Sequence, residues 1–158
     1  MAMPERTDVR ELLAAVLDFL NERFKSSGVV VKTRYSAHGT IRAYAGQLRQ
    51  ALSNLLLNAA EAMPQGGTIH AKVYAGREWC GNQRRGVRVT IADNGCGISK
   101  ANIPEIFQRF FTTKPSGSGL GLSLVADVTQ KHRGFVRVRS STRPDRHGTI
   151  FTLFFPAT

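Results

Sequence analysis

Between Thr68 and Phe155 the chain holds four runs in which apolar and polar residues alternate: "TIHAKVYA", "GVRVTIA", "GFVRVRS" and "GTIFTLFF". A period of two puts every second side chain on one face of a sheet, so each run predicts a half-buried strand. The first two are joined by the polar stretch "GREWCGNQRR" and form a hairpin, and the last two close the chain as a second pair. Elsewhere the period changes. Val9, Leu12, Leu13, Val16, Leu17, Leu20 and Phe24 follow helical spacing, with Thr7 or Asp8 as cap and Gly28 as stop. "VVVKTRY" follows as a strand, Gln47 to Met63 as a second helix and Ser118 to Lys131 as a third. Helices grouped against one sheet imply an α/β fold, a two-layer sandwich with a mixed sheet.

A chain of 158 residues suits one domain with a sizeable core. Residues 1–7 are expected as leading or linker residues and 8–158 as the domain; "MAMP" looks like a start joined to a segment cut from something longer. No apolar run approaches the roughly 18 residues of a membrane span. Cys80 and Cys96 stand apart without a C-x-x-C or nearby histidine pattern, which argues against a disulfide framework or zinc site and suits a reducing cytoplasm. Net charge is +11, from 22 Lys and Arg against 11 Asp and Glu. The arginines are scattered through "NQRRG", "VRVRS" and "TRPDRHG" without an interleaved aromatic stripe, so solvated surface is favoured over a nucleic-acid face.

Three stretches carry chemistry. On the second helix, Leu48, Leu52, Leu55, Leu56, Ala59 and Met63 gather on one face, while Asn54, Asn58 and Glu61 stack opposite. Such a polar stripe is usually a solvent face, yet two asparagines one turn apart suit an oxygen ligand for Mg²⁺ better than they suit a helix. "DNGCGIS" begins where a strand ends, placing Asp93 at the crevice where open α/β sheets bind ligands; D-N-G is also an ordinary turn. "FFTTKPSGSGLGLS" puts Gly117, Gly119 and Gly121 before an apolar helix, which lets another molecule approach the main-chain N–H groups. Lys114 precedes these glycines, the reverse of a Walker A loop, and a dinucleotide fingerprint belongs after the first strand of a βαβ unit.

In order, "LSNLLLNAAEA", "DNGCGI", "IFQRFFTTK" and "GSGLGLS" resemble the N, G1, F and G2 boxes of the ATP-binding catalytic domain of sensor histidine kinases. That domain belongs to a superfamily that includes gyrase, heat-shock chaperone ATPases and MutL, with the Bergerat fold; the resemblance runs from about Val9 to Pro156. It implies that Asp93 accepts a hydrogen bond from the adenine amino group, with Gly95, Gly97 and Ile98 shaping the base pocket. Asn58 would be a Mg²⁺ ligand and Asn54 a contact near the phosphates. The N–H groups of Gly119, Leu120, Gly121 and Leu122, with Gly117 and Ser118 before them, would cradle phosphate at a helix start. A lid from about Ser99 to Ser116 would be pinned by Phe107 and Phe111 and carry Thr113 and Lys114 toward the γ-phosphate, and Thr149 would share a water with Asp93.

Several departures narrow the expectation. Asn54 stands where gyrase-like ATPases place a water-activating glutamate, which favours transfer over hydrolysis. Ala62 replaces an aromatic residue and Glu61 a basic one. "FFTTKP" and "NAAEA" look like the nitrogen-regulation and oxygen-sensing branch, although Arg109 replaces its usual proline. None of His38, His70, His132 and His147 has the context of a phosphoacceptor hairpin, and His132 resembles a structural helix end. The expected partners are ATP, Mg²⁺, the histidine-bearing dimerisation domain of the same parent kinase and, indirectly, a response regulator. Neither membrane contact nor nucleic acid is expected of this cytoplasmic segment. The alternatives are a nucleotide-dependent docking module without transfer and an ATPase of the wider superfamily.

Overall fold

The computed structural model describes residues 2–36, 39–114 and 117–157. Strand β1 (Glu5–Asp8) leads into helix α1 (Val9–Ser26), β2 (Val29–Tyr35) and β3 (Thr40–Ala43). Helix α2 (Ala45–Glu61), the hairpin β4 (Gly67–Arg77) and β5 (Arg85–Asp93), helix α3 (Gly121–Lys131) and the hairpin β6 (Phe135–Arg143) and β7 (Arg146–Pro156) follow. The main sheet runs β2-β4-β5-β7-β6, with β2 parallel to β4 and every other pair antiparallel. This is the expected two-layer mixed-sheet sandwich.

Alternation decides which sheet face is covered. Ile69, Ala71 and Val73 of β4 and Val87, Val89 and Ile91 of β5 are buried beneath the helices, while their neighbours face outward. α1 contributes Val9, Leu12, Leu13, Val16, Leu20 and Phe24 to the core. At about 1.5–3 kcal/mol per buried side chain, this packing outweighs any intrinsic helix preference. α2 adds Leu48, Leu52, Leu55 and Leu56, all fully buried. Asp8 is the cap of α1, accepting from the Arg10 N–H at 2.9 Å.

Element edges differ from the sequence expectation for local reasons. Residues 5–7, expected as linker, belong to β1, which pairs antiparallel with β3, a strand the alternation rule missed because it has four residues. α3 begins at Gly121 instead of Ser118, since Gly119 takes φ +73°, outside the helical region. The β6–β7 hairpin is longer than expected and turns at Pro144 and Asp145. His38 and the last lid residue, Ser116, lie outside the described residues.

His132 ties the layers together. It caps α3, its Nδ1 lies 2.7 Å from the Val128 carbonyl, and its Nε2 accepts from the Tyr44 N–H at 3.0 Å. Only the neutral Nδ1–H tautomer satisfies both partners, so this histidine is structural. Cys80 and Cys96 are free and exposed. Among the described residues no helix is long and apolar enough to cross a membrane.

Candidate functional site

The polar stripe of α2 faces the glycine-rich segment. Asn54 Nδ2 donates to the Gly121 carbonyl at 3.4 Å, so the first asparagine touches the start of α3. One turn on, Asn58 Oδ1 accepts from Lys114 Nζ at 2.9 Å, and the same ammonium pairs with the Glu61 carboxylate. Asn58 and Glu61 thus already hold a cation, an amide oxygen and a carboxylate converging on one positive group. Hard oxygen donors of this kind fit Mg²⁺, which needs few protein ligands once phosphate oxygens and waters complete its shell.

α3 starts without a side-chain cap and without an acidic residue in its first turn. Among the described residues, neither a capping side chain nor a first-turn carboxylate meets its positive end, an arrangement that favours phosphate. Ser118 Oγ accepts from the Leu120 N–H at 3.3 Å and shapes the approach, while Gly117, Ser118 and Leu120 are exposed and Leu122 packs on the core. Gly119 is required twice, by its positive φ and because a Cβ would overlap the backbone of Phe110. Its carbonyl accepts from the Phe110 N–H at 2.8 Å, joining the glycine loop to the lid. Phe107 meets Phe151 edge to face at 6.2 Å and Phe111 packs on the core, whereas Phe110 is 73% exposed. Thr113 is exposed, and Lys114 turns back to α2.

At the end of β5, Asp93 is half-buried and its Oδ1 accepts from the Gly95 N–H at 2.8 Å. Burial pushes its carboxyl above the ordinary aspartate range, and the N–H groups of Gly95 and Thr149 oppose that rise. Gly95 lies against the end of α2, where a Cβ would stand 2.6 Å from the Ala62 carbonyl. Gly97 has φ +81° and sits against the Ser141 carbonyl.

Ser140, a single polar step in the strand "GFVRVRS" with no sequence signal of its own, is the hub of this corner. Its Oγ accepts from the Ile98 N–H at 2.7 Å, donates to the Gly148 carbonyl at 2.9 Å and lies 2.8 Å from Thr149 Oγ1. Since the one Ser140 proton goes to Gly148, Thr149 is the donor in that last pair. The Thr149 hydroxyl proton therefore points at Ser140, and the Thr149 backbone N–H donates to the Asp93 carboxylate. His147 Nδ1 lies 2.6 Å from the Gly95 carbonyl, a further contact without sequence signal.

The chain matches the family model "Histidine kinase-, DNA gyrase B-, and HSP90-like ATPase" over residues 43–158. It is 31% identical over 156 residues to sporulation kinase A of Bacillus subtilis (strain 168), covering 98% of this chain and 24% of that protein. Among solved structures, the mycobacterial sensor histidine kinase MprB superposes with TM-score 0.82 at 27% identity, covering 97% of each chain. Full-length ShkA in complex with AMPPNP superposes with TM-score 0.80 at 27% identity, covering all of this chain and 33% of that one. The chain thus spans about a quarter of its curated relative.

Proposed function

Because the chain belongs to the histidine kinase-, DNA gyrase B- and HSP90-like ATPase family, we propose that it binds Mg·ATP and presents the γ-phosphate to a histidine on a separate helical hairpin of its parent kinase. The observation that carries this reading is the cation held between Asn58 and Glu61 opposite an uncapped helix start. Asp93 and its flanking glycines form the adenine end, and residues 8–158 act as one catalytic domain with a lid near 99–116. That ShkA was solved with AMPPNP supports a nucleotide in the corresponding cleft.

Each residue has a defined task. Asp93 offers an acceptor to the adenine amino group, with Gly95, Gly97 and Ile98 fixing the pocket around it. The first N–H groups of α3, at Gly121 and Leu122, orient the phosphate chain along with those of Gly119 and Leu120. Asn58 would hold Mg²⁺, which neutralises charge on the phosphates when bound, and Asn54 positions the Gly121 segment beside it. Lys114 must leave Asn58 for metal to take its place, and it then adds positive charge at the mouth of the site. No side chain with the pKa and placement of a water-activating base emerges at Asn54, so transfer to a supplied nucleophile is the reaction served.

Asn58→Ala should weaken Mg·ATP on the order of tenfold while leaving metal-free adenosine nearly unchanged, since an amide oxygen reaches the metal and not the base. Calorimetry with both ligands checks it; equal losses would remove Asn58 from the metal site. The domain alone should hydrolyse ATP barely above background and form no phosphohistidine. With the matching hairpin added in trans and γ-labelled ATP, label should appear on the hairpin and be lost in acid. Fast hydrolysis by the isolated domain would point to a gyrase-like ATPase, and tight ATP binding without transfer to a docking module.

A further inference from the structure

The sheet face turned away from the helices carries an ordered array of charge. Register places Arg34, Lys72, Thr90, Thr152 and Arg137 side by side in one row across all five strands. The next row reads Lys32, His70, Ala92, Ile150 and Arg139. Among the described residues, no Asp or Glu occupies an outward position of these strands, and Lys32, Arg34, Lys72, Arg137 and Arg139 take part in none of the ion pairs. The cations stand on β2 and β4 to one side and β6 to the other. Between them lies a neutral floor on β5 and β7, of half-buried Thr90 and Ala92 and of Ile150, 44% exposed, with Thr152 between them buried.

The dimensions suit one shape. Lys72 and Arg137 are three strand spacings apart, about 14 Å, and successive rows are about 7 Å apart along the strands. An α-helix with its side chains is about 10–12 Å across, so it fills the lane between the two cationic banks. At one end the lane is closed by Trp79, over which Arg137 lies at 4.8 Å and Arg88 at 5.7 Å from the ring centroid. The floor offers no ring for base stacking; the rings on this face stand only at its closed end, Tyr74 and Phe135 in the next row and Trp79 beside them, with Phe135 and Trp79 packed on each other and engaged by arginine, which disfavours single-stranded nucleic acid. A lane with raised banks also suits a bilayer less well than a rod.

We propose that this face docks an acidic amphipathic helix of a partner protein, about two turns of it, with Asp and Glu on both flanks and a small apolar ridge over Ile150 and Ala92. The attraction is electrostatic complementarity across an otherwise unpaired cationic face, so it sets on-rate and orientation and fades with salt. The lane lies outside the nucleotide site and does not require its occupation.

The probe is a labelled, end-blocked 15-residue peptide with glutamates on two flanks and leucine and alanine on the third. Fluorescence anisotropy should show binding that weakens steeply with salt, and amide shifts should cluster at Thr90, Thr152 and Ile150. Lys72→Glu with Arg139→Glu should cost on the order of tenfold or more, and Lys72→Gln with Arg139→Gln less. Both side chains are exposed, so unchanged melting and ATP binding verify that the variants fold. Absence of binding overturns the proposal. So does equal binding by a scrambled peptide, indifference to the charge reversals, or tighter binding to a 15-nucleotide thymidine strand or to phosphatidylglycerol-rich vesicles.

Discussion

Asp93→Asn should lose most of the ATP affinity of the domain. A carboxylate is acceptor-only, and here it already serves the N–H groups of Gly95 and Thr149 while facing the proposed adenine amino group. An amide replaces one acceptor by a donor, so a donor must face a donor on the protein side or on the adenine side. Leaving such a buried group unpaired costs about 1–3 kcal/mol, roughly five- to hundredfold in affinity. For the same reason GTP, which offers a carbonyl where ATP offers an amino group, should bind the wild type far more weakly. Calorimetry with ATP and GTP on both proteins measures this, and comparable GTP affinity in the wild type would sink the assignment.

The raised pKa of Asp93 adds a pH signature with opposite signs for folding and binding. In the folded chain the carboxyl takes up its proton at higher pH than in the unfolded chain. Between those two values the folded state holds more protons, so this group's contribution to stability grows as pH falls and is lost as pH rises through the folded pKa. ATP affinity runs the other way, because protonation weakens the acceptor. Asp8 and Glu78, held below the usual range by Arg10 and Arg84, lose their stabilisation on acidification. The clean readout is therefore wild type minus Asp93→Asn: wild type should gain relative stability toward acid while its ATP binding declines.

The second large effect is expected at Gly97. A residue with a side chain at φ +81° costs about 1–2 kcal/mol, and a Cβ there would overlap the Ser141 carbonyl, a backbone atom that no rotamer change can move away. Gly97→Ala must displace β6 or the turn after Asp93, and either shift breaks the bond from Ile98 to Ser140. A total near 3 kcal/mol corresponds to a fall in Tm on the order of 10 °C for a chain of this size, with ATP binding lost in parallel. Gly121→Ala is the control. Its Cβ would come no nearer than 3.9 Å to Asn54, so the fold should melt as the wild type does. Equal melting of Gly97→Ala and wild type would contradict the packing described.

The sequence revealed the strands and helices whose period is unambiguous, such as Val87 to Ile91 and Leu48 to Leu56, because burial on one face is written residue by residue. It exposed the glycine and asparagine stretches for a related reason: each is locally unfavourable unless something else demands it. What stayed hidden depends on contacts distant in the chain. β1 and β3 are four-residue strands that stabilise each other across the whole of α1 and β2. Ser140 reads as one polar step in an alternating strand, and its role appears only when Ile98, Gly148 and Thr149 are brought around it. The stripe of Asn54, Asn58 and Glu61 admits two readings in the sequence, and its contacts with Gly121 and Lys114, which support the proposed metal-binding one, join positions far apart in the chain.

The parallel pairing of β2 with β4 has a consequence for how the molecule assembles itself. The β6–β7 hairpin closes through a two-residue turn, but β2 reaches β4 only across β3 and α2, and β5 reaches β7 across the still longer stretch of lid, α3 and β6. Both contacts close long loops, which are entropically slow to close, so the β6–β7 hairpin forms early and the β2–β4 crossover is completed later. α2 lies inside that crossover and carries Asn54 and Asn58. The proposed phosphate corner therefore waits on the β2–β4 closure and the proposed adenine corner on the β5–β7 closure, so nucleotide binds fully only to a chain in which both long closures are complete.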